Sequence, residues 1–147
     1  MSTNETMIRF GYPNSLIVEY RYWVVLVRPD QPTLGSLVLA ATGEARAFSD
    51  LPPEAFAQLH RAVTDMESML GAAIAYEKIN YLMLMMVDPH VHWHVIPRYE
   101  GVREHAGISI ADSGWPRLPD LGEAAKLDRM QVAIVRDWLA SKLPDGD

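Results

Sequence analysis

His90-Val91-His92-Trp93-His94-Val95-Ile96-Pro97-Arg98 decides how this chain is read: three of its five histidines fall within five residues, alternate with Val91 and Trp93, and run into a proline. Successive side chains of a β-strand point to opposite faces. As a strand, the run sends His90, His92 and His94 to one side and Val91, Trp93 and Val95 to the other. One face then carries chemistry and the other packs into a core.

Working outward, Asp88-Pro89 reads as a turn. Before it, Ile79 to Val87 is apolar on both alternating sets, the pattern of a central strand covered on both faces, with its methionines filling core. The histidine strand is then its antiparallel neighbour. From Ser49 to Tyr76 the period changes. Ala55, Leu59, Ala62, Val63, Met66, Leu70, Ala73 and Ile74 keep the spacing of a helix with one buried face, and Ser49 or Asp50 is placed to cap it. Pro52 and Pro53 fit only at the start of such a helix. Ser36 to Ala41 is a further strand. Pro29, Pro32 and Gly35 form the loop before it, and Leu16 to Val27 reads as two short antiparallel strands rich in β-branched and aromatic residues. Residues 1–15 form an extended N-terminal arm. Beyond Arg98, residues 99–122 lack a period and read as a long loop with a short edge strand at Ile108 to Ile110. Residues 123–142 form a C-terminal helix with Leu127, Met130, Ile134 and Trp138 on its buried stripe. Adjacent antiparallel strands with two segregated helices make an α+β fold, expected as a single domain over residues 1–147.

With 147 residues, of which 49% are hydrophobic, the chain can bury a core without staples. It has no cysteine, so thiolate metal sites and thiol nucleophiles are excluded and a cytoplasmic location is the default. The N-terminus lacks the apolar run of a signal peptide, and no stretch reaches the length of a membrane span. A net charge of −6 without a basic block argues against nucleic-acid polymers and membrane surfaces as partners.

Three imidazoles on one strand face, about 7 Å apart in succession, admit three readings. They form a polar strand face, they supply a His-x-His pair for a metal that takes a third ligand from elsewhere, or they perform phosphoryl chemistry. In the last, a neutral imidazole attacks phosphorus while its neighbours donate hydrogen bonds to phosphate oxygens or to the leaving group. Asp88 is the nearest carboxylate, and only His60 and His105 remain as distant histidine ligands. His60 reads as structural, His105 has no assigned role, and Trp115, between Gly114 and Pro116, reads as a packing anchor rather than a cover for a base.

His90-Val91-His92-Trp93-His94-Val95-Ile96 resembles the His-φ-His-φ-His-φ-φ signature of the histidine triad (HIT) superfamily of nucleotide hydrolases and transferases. Gly35-Ser36-Leu37-Val38-Leu39 is similar to that family's Gly-His-φ-φ-φ strand. The resemblance covers roughly Leu16 to Arg98. It implies an antiparallel sheet with a long central helix, assembled as a homodimer and acting on a nucleotide or nucleotide conjugate without a metal or other cofactor. By position His92 would be the nucleophile that becomes nucleotidylated. The His90 carbonyl would hold the Nδ1 proton of His92, and His94 would bond a phosphate or leaving-group oxygen. Two departures accompany the match. Ser36 stands where many members have histidine, and Met86-Val87-Asp88-Pro89 stands where members often have a Gly-rich loop with a phosphate-binding glutamine. Arg28 falls about where a ribose- or phosphate-contacting residue is expected. Ser36 and Arg98 are the other candidate substrate contacts, although Arg98 reads first as a structural ion pair and only second as a phosphate contact. The rival functions are a nucleotide-binding or sensing protein that has lost turnover and a His-ligated metalloprotein.

Overall fold

The computed structural model describes residues 2–145; Met1 and residues 146–147, which fall within the expected arm and domain limits, lie outside them. In chain order the elements are α1 (Glu5–Arg9), β1 (Leu16–Glu19), β2 (Trp23–Val27), β3 (Asp30–Gln31), β4 (Leu37–Ala41), a 3₁₀ turn (Phe48–Asp50), α2 (Pro53–Ile74), β5 (Lys78–Leu82), β6 (His92–Arg98), β7 (Val102–His105), β8 (Ile108–Ala111), β9 (Ala125–Lys126) and α3 (Arg129–Ala140). Five strands form one antiparallel sheet in the order β1-β2-β4-β6-β5. The fold is α+β, as expected.

The alternation in β6 sorts the two faces of this sheet. Val91 and Val95, with Trp93 partly buried, join Trp23, Val25, Leu37 and Leu39 in the main core beneath α2 and α3. Helix α2 contributes Ala55, Ala62, Met66, Met69, Leu70 and Ile74 to that core, and each fully buried Met, Leu or Ile adds roughly 1.5–3 kcal/mol. The opposite face is lined by Val24, Leu26, Val38 and Ala40, and Met7 of α1 packs on it. Register places Ala40 opposite His92 and Val38 opposite His94, so the histidines share the face that α1 covers.

Glycine 35 positions the chain between these layers. Its φ is +93°, and a Cβ built there would lie 2.9 Å from Ile74 Cγ1, so only glycine lets the turn approach the end of α2. Gln31 stitches the same turn. Its amide nitrogen Nε2 donates to the carbonyls of Arg28 and Ser36, while Oε1 accepts from the amides of Gly35 and Ser36.

Several expectations are corrected. The arm is not extended throughout, because Asn4 caps a short helix by accepting from the Met7 amide and fastens it to the sheet by donating to the carbonyls of Ala41 and Gly43. Strand β5 is an edge strand and ends at Leu82; Met86 and Val87 are exposed rather than in the core. Neither Ser49 nor Asp50 caps α2, since both are drawn into the 3₁₀ turn and Pro52 takes the N-cap position without a side-chain bond. The segment 99–122 is not one long loop, because β7 and β8 form a hairpin within it. Helix α3 starts at Arg129, six residues after the expected start, behind an Asp128–Gln131 capping box, and it buries Val132, Val135 and Leu139 while leaving Met130 exposed.

Candidate active site

His90, His92 and His94 are all buried on the α1 side of the sheet, with 2%, 2% and 7% of their surface exposed. Residues 84–88, after β5, and the end of α1 leave a cleft of about 410 Å³ at His92 and His94, lined also by Arg9, Phe10, Arg28 and Asp30. Phe10 packs against both rings, with centroids 5.6 Å from His92 and 5.7 Å from His94. Phe10 thus gives both rings an apolar contact beside the cleft.

Hydrogen bonds then assign the protons. His92 Nδ1 lies 2.7 Å from the His90 carbonyl oxygen, which can only accept, so Nδ1 carries the hydrogen and Nε2 keeps a free lone pair. His94 is polarised the other way. Arg28 Nε donates to His94 Nδ1 at 3.2 Å, which leaves the hydrogen of a neutral ring on Nε2. Burial first, then the Arg28 cation and His92, lower the His94 pKa to about 4, so this ring is neutral at physiological pH. A lone pair on one imidazole and an N–H on its neighbour, with ring centroids 5.1 Å apart, is an arrangement that can pair a nucleophile with a hydrogen-bond donor.

These contacts complete a pattern that extends along most of the sheet. A model of the HIT domain matches residues 13–101. The chain belongs to the HIT family. Among HIT structures similar over nearly the whole chain are a histidine triad protein of Bradyrhizobium japonicum, with 22% identity, 97% of each chain covered and a TM-score of 0.72, and one of Sinorhizobium meliloti, with 22% identity, 97% of this chain and 96% of that chain covered and a TM-score of 0.73. The diadenosine triphosphate hydrolase of Plasmodium falciparum is similar at 12% identity, with 88% of this chain and 79% of that chain covered and a TM-score of 0.61. No sequence among curated proteins matches.

Within this HIT site the expected residues divide. The structure brings the three histidines and Arg28 together. Arg28 also donates to the Asp30 carbonyl, and burial lowers its pKa. Ser36 does not reach the cleft: it is fully buried, and its Oγ bonds with the Thr33 hydroxyl and donates to the Thr33 carbonyl. Nor does Arg98. It sits four residues beyond His94, about 13 Å along the strand, where Nε and Nη2 donate to the two oxygens of Asp112 and Nη1 donates to Asn80 Oδ1. Its side chain is 4% exposed and committed to a structural pair. Of the remaining candidates, His60 is exposed on α2, His105 stacks on Trp138 with 4.1 Å between centroids, and Trp115 is absent from the cleft lining.

Three contributors were not identified from sequence, and all lie on or beside α1. They are Thr6 beside His90, Arg9 in the cleft lining and Phe10 against the rings of His92 and His94. Arg9 Nε lies 2.8 Å from Asp88 Oδ1, within ion-pair range though out of line for a hydrogen bond, so the carboxylate before the triad faces a cation. A five-residue helix has no usable apolar period; the Asn4 cap was the only sequence signal.

Proposed function

We propose that the chain is a metal-independent nucleotide hydrolase or nucleotidyltransferase acting on a dinucleoside polyphosphate, a nucleoside phosphoramidate or a similar conjugate, working as a homodimer of single-domain subunits. The observation that carries the proposal is the 2.7 Å bond from His92 Nδ1 to the His90 carbonyl, which frees Nε2 toward the cleft. In the first step His92 Nε2 bonds to the α-phosphorus as the bond to the leaving group breaks. The His94 Nε2–H is available to hydrogen-bond a phosphate or leaving-group oxygen. Water or another acceptor then attacks the same phosphorus, the P–N bond breaks, and Nε2 recovers its lone pair; with water the released proton goes to solvent.

Intact-mass spectrometry of protein mixed with a panel of dinucleoside polyphosphates, nucleoside phosphoramidates and nucleotide sugars tests this reading. One nucleotidyl group should add to wild-type protein, and His92→Ala should abolish both adduct and product while keeping the fold. Turnover that survives His92→Ala would overturn it. Nucleotide binding by calorimetry with no product from the panel would instead establish the binding or sensing reading, which the burial of Ser36 favours.

A further inference from the structure

His90 precedes the first ladder residue of the histidine strand, so the sheet does not hold its amide. The Thr6 hydroxyl does. Thr6 Oγ1 accepts from the His90 backbone N–H at 3.2 Å and lies 2.9 Å from His90 Nδ1. Having accepted one hydrogen, the hydroxyl has its own proton to give to Nδ1, and a neutral His90 ring then carries its hydrogen on Nε2. That nitrogen is buried without a hydrogen-bond partner, and the nearest carboxylate oxygen, on the exposed side chain of Glu44, is 3.5 Å away. Among the described residues, Thr6 therefore makes the short polar contacts that hold both the ring and the amide of His90.

The His90 carbonyl, three bonds from that amide nitrogen, receives His92 Nδ1. The far side of the same peptide is held by Val91, whose amide donates to the Ala45 carbonyl at 3.2 Å. Thr6 is the anchor on the near side. Its side chain is fully buried on α1, and α1 is tied to the end of the neighbouring strand through Asn4.

We infer that Thr6 is a positioning residue for the nucleophile: by clamping His90 it keeps that residue's carbonyl on His92 Nδ1, and thereby keeps His92 in the one tautomer whose Nε2 can attack. The inference rests on the proposed function for its kinetic consequence but not for its geometric one. When an imidazole nitrogen bonds to phosphorus the ring becomes cationic, so the bond from Nδ1–H to the carbonyl becomes charge-assisted and about twice as strong. A carbonyl that drifts forfeits more in the transition state than in the ground state, which lowers kcat rather than raising KM.

The test uses Thr6→Val, which keeps the shape and removes both hydrogen bonds, together with Thr6→Ser, which restores the hydroxyl. Nitrogen-15 NMR of the histidine rings in ligand-free protein reads the tautomer without any substrate. Wild type should show His92 as a single Nδ1–H tautomer, Thr6→Val a mixture, and Thr6→Ser the wild-type state. Once a substrate is in hand, Thr6→Val should lower kcat by about ten-fold, the rate equivalent of one ordinary hydrogen bond, with KM nearly unchanged. Thermal melting reports folding, and Thr6→Ala serves if the valine variant does not fold. A His92 ring that stays wholly in the Nδ1–H form in Thr6→Val, or a tautomer mixture with unaltered kcat, overturns the inference. Absence of turnover in wild type overturns the proposed function and leaves the NMR result to decide the clamp.

Discussion

Arg28→Gln removes one cause of the His94 perturbation while leaving the others in place. The native ring titrates at about 4 rather than 6.5, with burial as the largest cause, the Arg28 cation second and His92 third. Because all three act in the same direction and Arg28 is not the largest, its removal must restore less than half of the difference. The variant's pKa should therefore rise above about 4 and remain nearer to 4 than to 6.5. The sign of the stability effect follows from proton uptake. Below pH 6.5 the unfolded His94 gains a proton that the native ring declines until about 4, so the native state loses stability across that window as pH falls and loses no more below it. The whole loss is at most about 3 kcal/mol before screening by the water of the cleft. Arg28→Gln raises the native pKa, narrows the window and reduces this loss. A proton NMR titration of His94 in both proteins, with urea unfolding between pH 4 and 7, makes the measurement. A ring that still titrates at about 4 would show that the guanidinium does not act on it, and full recovery to 6.5 would show that burial is not the leading cause.

Two further substitutions probe the frame behind the site. Asp112→Asn leaves the buried Arg98 guanidinium without its counter-charge and should cost about 3–5 kcal/mol in urea unfolding, because both Asp112 oxygens accept from Arg98 and also bond the amides of Tyr99 and Gly114. Gly35→Ala puts a Cβ 2.9 Å from Ile74 Cγ1 at a φ of +93° and should lower stability by about 2–4 kcal/mol, read as a drop in melting temperature.

The chemical half of the site was legible because a strand's two-residue period leaves no freedom: once Val91 and Val95 are in the core, His90, His92 and His94 must share the other face. The same rule misplaced the strand before it. Ile79 to Val87 is apolar on both alternating sets apart from Asn80, which fits a doubly covered strand, yet its second half leaves the sheet at Met83 and lines the cleft, with Met85 at φ +54°. Hydrophobicity alone does not separate a core strand from the apolar wall of a pocket. In α3, apolar residues at Met130, Val132, Ile134, Val135, Trp138 and Leu139 support two overlapping stripes, and docking against the sheet and α2 buries the one through Val132, Val135 and Leu139. Arg98 does form the structural ion pair read from the sequence, but neither its partner nor that of Ser36 could be named in advance. Their partners, Asp112 and Thr33, come from a hairpin end and a turn whose proximity no periodicity reveals.

The turn immediately before the triad is faced by α1. A carboxylate immediately before the triad would repel a phosphate, but Asp88 is 9% exposed and faces the Arg9 cation. Arg28 adds a second cation to the cleft and Asp30 a second carboxylate, so these four groups sum to no net charge. Under the proposed reading, a phosphate entering the cleft would be held by directed donors, chiefly Arg28 and the His94 Nε2–H, rather than by a general positive field. Directed donors keep their strength only while their geometry is kept, which explains the network beneath them. Thr6 clamps His90, His90 holds His92, Arg28 fixes the His94 tautomer, and Phe10 packs against both working rings. Each of these partners except Arg28 and the triad itself comes from the first ten residues. The N-terminal segment, unreadable as sequence, therefore contacts all three histidine rings of the triad, His90 through Thr6 and the other two through Phe10.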